Sequence, residues 1–232
     1  MKNNKLSPEY RRIPHFNKEI SKMTHDDIEL ETPIQFPFNA YVSEKVDAAN
    51  VGIAWFDDAP VVRNRKHILN KGYSKIKTPA KKQFQPIWNF VHEHKKDLIK
   101  INQLWDTPLC VFGEWMNVKH SIYYDKLPSL FIAYDIWCPE DNNFLSVHNF
   151  ENLMNQTNIH YVKNELVTIS SIEQIVELSE LPSNYYDGIS EGIVMKIDSG
   201  DYNKTIFKVV NKYFERREDF NDELIKNKII KC

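Results

Sequence analysis

The sequence predicts an α+β domain built mainly on antiparallel sheets. Three observations carry that expectation. Short apolar, strand-like runs outnumber helical patterns, and the two do not alternate as a parallel βαβ sheet requires. At 232 residues and 42% hydrophobic composition, the chain can bury one sizeable core without staples. Its six glycines form neither GxxxxGK[ST] nor GxGxxG, which argues against the P-loop and dinucleotide-binding α/β folds.

The elements follow in order. Residues 1–40 are polar, carry Pro8, Pro14, Pro33 and Pro37, and read as an irregular lead-in packed on the domain that follows. Strands are expected over 41–46, 51–56 and 60–65, with Asp57-Asp58 as a hairpin turn. Residues 66–86 form a basic loop with Pro79 and Pro86. From Ile87 the apolar positions Phe90, Val91, Leu98, Ile101 and Trp105 keep helical spacing, predicting one long helix. Strands over 109–115 and 130–137 follow, then a helix over 146–157 and an extended stretch over 159–169. Ser170 with Glu173 forms a capping-box signature for a helix ending near Pro182. Strands are expected over 192–197 and 205–210. The division is lead-in 1–40, main domain 41–215 and a charged tail 216–232, with helix-like patterning from Asn211.

Net charge is −2, which hides an asymmetry: residues 61–100 carry +9 and the remainder −11. Such a strip fits either a local polyanion contact or a solvated surface. No apolar run is long enough for a membrane helix, and the N-terminus lacks a signal-peptide core. Cys110, Cys138 and Cys232 show no CxxC spacing, so an intracellular, reducing compartment is expected.

Lys45 stands out chemically. It lies between two strand-like runs, flanked by Glu44, Asp47 and Asn50, as a candidate covalent nucleophile. Glu114 ends one apolar strand; Tyr134 and Asp135 lie inside another. Glu191 precedes a strand that contains Lys196, and Lys208 is embedded in the last. Charged residues in apolar strands are costly unless paired or functional. An edge position, a snorkelling side chain or a salt bridge explains any one of them, but four such strands beside Lys45 point to a shared site. His92 and His94 do not share a helix face, which argues against a zinc pair. Trp88, Phe90, Trp105, Trp115 and Trp137 read as core.

These residues carry a resemblance. The run Glu44-Lys-Val-Asp-Ala-Ala-Asn50, then Val62-Arg-Asn-Arg65, Phe112-Gly-Glu114, Phe131-Ile-Ala-Tyr-Asp135, Glu191-Gly-Ile-Val-Met-Lys196 and Lys208 resemble, in order, the motifs of covalent nucleotidyltransferases. The chain is most similar to the RNA ligase 2-like family. The resemblance implies an antiparallel-sheet nucleotidyltransferase domain of ligase and capping-enzyme type, ATP-grasp-like. No C-terminal OB domain is expected, since only 213–232 follow Lys212.

It further implies an ATP-dependent RNA ligase using Mg²⁺ or Mn²⁺. Lys45 would be adenylated, with Arg65, Lys196 and Lys208 serving the phosphates. Glu44, Asn50, Arg63, Glu114, Tyr134 and Lys208 would bind the nucleotide, with Tyr134 stacked on the purine. Glu191, with Asp47, would hold the metal; Asp47 reads equally well as a turn residue capping local amides. Cations near Lys45 are expected to disfavour its ammonium form. The partner implied is RNA with 5′-phosphate and 3′-hydroxyl ends, and no membrane; the protein would act as a monomer or within a larger repair assembly. A DNA ligase, a GTP-dependent capping-type enzyme and a non-catalytic nucleic-acid-binding relative are the alternatives. Two positions depart from the pattern: Ala48 replaces a glycine, and Val210 replaces a second lysine that Lys212 could supply.

Overall fold

The computed structural model describes residues 5–70, 79–216 and 224–230. Two antiparallel sheets form the body. Six strands, β2 (Ala49–Phe56), β3 (Ala59–Asn64), β4 (Ile68–Leu69), β5 (Cys110–Trp115), β6 (Phe131–Cys138) and β7 (Asn143–Phe144), lie in the order β4-β3-β2-β5-β6-β7. The other sheet has the order β10-β9-β1-β8, from β1 (Phe38–Glu44), β8 (Glu165–Ile169), β9 (Gly192–Ser199) and β10 (Tyr202–Val210). The chain leaves one sheet at Glu44 and enters the other at Ala49, so Lys45 sits on the crossing between them.

Strand alternation assigns the faces. In β2, Val51, Ile53 and Trp55 enter the main core with Val62, Val111, Trp115 and Phe131. Helices α2 (Ile87–Glu93), α3 (Lys95–Trp105) and α4 (Val147–Met154) cover that core through Ile87, Phe90, Leu98, Ile101 and Phe150. In the smaller sheet, Ala40, Val42, Ile193, Met195, Phe207 and Val209 enter a second core with Ile175 of α5 (Ile172–Ser179). A short turn of helix, α1 (Pro79–Lys82), precedes α2.

Several expectations shift. The long helix breaks at His94 (φ −96°, ψ 15°), whose ring bonds Asp97 at 2.9 Å and stacks on Phe90 at 4.3 Å, yet the apolar phase carries across. The cap of α5 is Ser171: its hydroxyl accepts from the Gln174 amide, and Gln174 accepts from Ser170 N at 2.8 Å, the role expected of Glu173 one position earlier. Of 159–169 only Glu165–Ile169 is a strand; the stretch before it lies along β6 through a bridge between Ala133 and Tyr161. In the tail, 224–230 is extended rather than helical, held by Asn227 bonds to Tyr124 N (3.0 Å) and Met116 O (2.9 Å). Residues 211–216, the expected start of the same helix, form a turn and irregular chain; 217–223, 231–232 and the Lys71, Lys75 and Lys77 part of the basic strip lie outside the described residues. Asp57 and Asp58 both have positive φ (47° and 58°), the turn their hairpin needs.

The lead-in packs closely on the sheets. It runs beside the edge of β10, where Lys208 N donates to Pro14 O and Phe16 N to Lys208 O, both 2.9 Å. Tyr10 packs with Phe112 and Phe144 on the face of the larger sheet opposite the helices.

Candidate active site

The two sheets leave a cavity between them, and strand register decides what faces it. Asn50 of β2 lies directly opposite Glu114 of β5. Both alternate with the core positions Val51 and Trp115, so they point away from the helices. Tyr134 joins them from β6. From the smaller sheet come Val194, Lys196 and Lys208, alternating with Ile193, Met195, Phe207 and Val209; Lys208 pairs with Val194, and Ile206 with Lys196. All these cavity-facing residues, with Lys45, line one cavity, closed by Tyr10, Arg11 and Arg12 of the lead-in. A wider cleft of about 860 Å³ opens from it, reached by Asp47, Glu191 and Arg216 and sharing Lys45, Asn50, Arg65, Glu114 and Lys208.

Lys45 Nζ donates to Glu191 Oε2 at 2.6 Å. Glu191 is almost wholly buried (2% exposed). Burial alone would lower the Lys45 pKa, but the Glu191 charge and hydrogen bond outweigh it and raise it. That corrects the expectation that neighbouring cations favour the neutral amine: Lys45 rests as an ammonium. The Lys45 amide donates to Gly192 O at 2.9 Å, which fixes the crossing. Gly192 has φ +150°, and a Cβ there would meet Val209 O at 2.0 Å, so only glycine fits beside the motif glutamate.

Two buried acceptors in the cavity lack hydrogen-bond partners, Glu114 Oε2 and Asn50 Oδ1. Burial pushes the Glu114 carboxyl up to about 8, with Asp47 and Glu191 adding to the rise and Lys45 opposing it, so it is protonated at neutral pH. Asn50 Nδ2 donates to the Tyr134 hydroxyl, and its Oδ1 is buried without a partner. Glu44 lines the cavity but gives its oxygens to the loop after α5: it accepts from Ser183 Oγ, Asn184 N (2.8 Å) and Asn184 Nδ2 (2.9 Å).

Lys196 is sealed rather than open. Its ammonium donates to Asp135 Oδ1 (2.9 Å) and Tyr134 O (2.5 Å), and Tyr10 OH donates to Asp135 Oδ2 (2.5 Å). Lys208 pairs with Asp27 at 3.2 Å. Asp47 Oδ2 accepts from Ser121 N (2.7 Å) and Ile122 N (3.3 Å), distant amides rather than the local ones a turn residue would cap, and the residue lines the wider cleft.

Two sequence-proposed groups lie elsewhere. Arg63 is buried (5% exposed), its guanidinium on the carbonyls of Ser7, Asn64 (3.1 Å) and Arg65 (3.4 Å), and it lines neither the cavity nor the cleft, whereas Arg65 lines both. Lys212 is exposed and also lines neither; Arg216 reaches the cleft instead and its charge acts on Glu191. Ala48 does not have positive φ, so the backbone at this departure from the motif does not demand glycine. Tyr10, Arg11 and Asp27 are cavity and cleft residues that sequence patterning missed. They sit in an aperiodic, polar segment whose partners are far away in sequence. Among the described residues, no group of three or more His, Cys, Asp or Glu is arranged to hold a metal. No helix there is long and apolar enough to cross a membrane.

The fold has counterparts among solved structures. The chain superposes on Naegleria gruberi RNA ligase with pyrophosphate at TM-score 0.56 and 22% identity, covering 75% of this chain and 49% of that one. Mutants of the same ligase give TM-scores of 0.54 with AMP and Mn (19% identity, 75% and 49% covered) and 0.55 with ATP and Mn (21% identity, 78% and 52% covered). This chain thus spans about half the length of those ligases. Among curated proteins, none matches the sequence. The RNA ligase family model matches residues 39–210, from β1 to the end of β10 and so across both sheets and the cavity between them, and on that match the chain belongs to the RNA ligase family.

Proposed function

We propose that the chain is an ATP-dependent RNA ligase that joins a 5′-phosphate to a 3′-hydroxyl through an adenylated Lys45. The observation that carries this reading is the place of Lys45 Nζ: on the crossing between the sheets, bonded to Glu191, and facing both the inner cavity and the wider cleft. A nucleotide held in the inner cavity and an RNA end held in the cleft would both reach it.

In the first step the Nζ–P bond forms at the α-phosphorus as the P–O bond to pyrophosphate breaks. The AMP then passes to an oxygen of the RNA 5′-phosphate, and a 3′-hydroxyl oxygen attacks that phosphorus as AMP leaves. The protein's part is in-line placement and charge neutralisation. Arg65, Lys208 and Lys45 itself line the phosphate side, and Lys196 supports the site from beneath, tying Asp135 to the Tyr134 backbone. Tyr134 offers its ring to the base. Glu114, protonated at neutral pH, and the free Asn50 Oδ1 offer a donor and an acceptor to the nucleoside. These two unpartnered groups fit a polar ligand in the cavity, since buried polar atoms ordinarily have partners. Lys45 must shed its proton before attack, and its raised pKa makes that a cost.

The carboxylates present fit a hard divalent cation, which needs few protein ligands when phosphate supplies others. Glu191 would hold it, with Asp47 beside the cleft. Bound Mg²⁺ or Mn²⁺ would supply neutralisation of phosphate charge and competition with the Lys45 ammonium for Glu191. The chain would act on RNA as a monomer or within a larger repair assembly.

The test uses α-labelled ATP or GTP with Mg²⁺, followed by sealing of matched RNA and DNA nicks bearing 5′-phosphate and 3′-hydroxyl ends. Covalent label from ATP and sealing of RNA is the expected result. Label from GTP alone would indicate capping chemistry, sealing of DNA alone a DNA ligase, and no label from either nucleotide a binding protein.

A further inference from the structure

The lead-in places a carboxylate on the cation that the proposed chemistry assigns to phosphate. Asp27 Oδ1 lies 3.2 Å from Lys208 Nζ. Its other oxygen is fixed by its own turn, accepting from Thr24 N and Thr24 Oγ1, both at 2.9 Å. His15 lies behind Asp27. Val210 N donates to Ser21 Oγ at 2.9 Å, and Ser21 Oγ shares a hydrogen bond with His15 Nδ1. His15 Nε2 lies 3.3 Å from Asp27 Oδ1 without a hydrogen bond to it. His15 is wholly buried; burial and the Lys208 charge lower its pKa to about 4, so it stays neutral at ordinary pH. Burial would raise the Asp27 pKa, but the Thr24 bonds and Lys208 outweigh it and hold Asp27 ionised. The turn and Lys208 both line the wider cleft with Lys45 and Arg216.

We infer that Asp27 sets the phosphate affinity of the Lys208 subsite: its carboxylate occupies the position of an incoming phosphate oxygen, and the cleft takes a phosphate there only by displacing it. The inference rests on reading Lys208 as a phosphate-facing group, and it adds to that reading a built-in competitor from the lead-in. A carboxylate and a phosphate oxygen make the same charge-assisted hydrogen bond to an ammonium, so they compete directly. The Thr24–Asp27 turn holds the competitor in place, and its displacement leaves Asp27 bonded to Thr24.

The test is isothermal titration of the protein with inorganic pyrophosphate, at fixed ionic strength and without nucleotide. Asp27→Asn keeps the turn, because an amide oxygen accepts from Thr24 as well, and it removes the competing charge. The expected result is pyrophosphate binding tightened about tenfold. Glu19→Gln removes an equal charge from an exposed lead-in residue that lines neither the cavity nor the cleft and should change affinity less than twofold. In a Lys208→Ala background, Asp27→Asn should have no effect. Equal gains in the Glu19 and Asp27 variants, or unchanged or weaker binding in Asp27→Asn, would overturn the inference. If Lys208→Ala weakens binding while Asp27→Asn does not strengthen it, this inference fails and the phosphate role of Lys208 stands. If Lys208→Ala changes nothing, the phosphate role of Lys208 fails as well. Thermal melts of each variant within a few degrees of the parent establish that the comparison is between folded proteins.

Discussion

Arg63 and Arg65 are two residues apart and have opposite surroundings, so they separate stability from chemistry. Arg63→Ala leaves three backbone carbonyls without their donor and should cost about 2 kcal/mol in chemical denaturation, with nucleotide labelling largely kept. Arg65→Ala should leave the denaturation midpoint unchanged and cut labelling at least tenfold. Glu114 provides a pH test. Its pKa rises from an ordinary 4.5 to about 8 on folding, so between those values the folded protein holds a proton that the unfolded chain has released. By linkage this group's contribution to stability falls as pH climbs through that window and is level above it. Glu114→Gln has no such loss, so its melting temperature relative to the parent should climb across the same window and then flatten. A difference that stays constant with pH would show that Glu114 is ionised throughout.

At the scale of elements, short apolar runs made the strands legible: Val51-Gly-Ile-Ala-Trp55 is buried on both faces, and Ile193-Val-Met-Lys196 sets one charge within an apolar run. Which strands share a sheet was not legible, because β1 pairs with β8 and β9, more than a hundred residues later in the chain. The break at His94 escaped the helical pattern because one residue between helices does not disturb the apolar phase. Ala48 and Gly192 show the limit of motif reading. Ala48→Gly should destabilise by about 1 kcal/mol through the unfolded chain, without raising the labelling rate, because the native φ does not call for glycine. Gly192→Ala should cost about 2–4 kcal/mol, since the new Cβ meets the β10 backbone and the φ is strained for alanine. Denaturant titration of both variants measures the contrast.

Over the whole molecule, two sheets supply opposite walls of one cavity, and the lead-in supplies its edge. Glu114, Lys196 and Lys208 were legible because each interrupts an apolar strand. The lead-in's share was not: Tyr10 reaches Asp135 across 125 positions, and Asp27 reaches Lys208 across 181, from a segment with no periodicity to read. The position of Lys45 between the walls is the basis of the functional account, and it is tested most directly by mapping the adduct. The protein is incubated with ATP and Mg²⁺, digested, and its peptides are sequenced by mass spectrometry. The account predicts a single AMP on Lys45, lost in Lys45→Ala while the variant remains folded. AMP on another lysine, or an unchanged yield of adduct in Lys45→Ala, would contradict it.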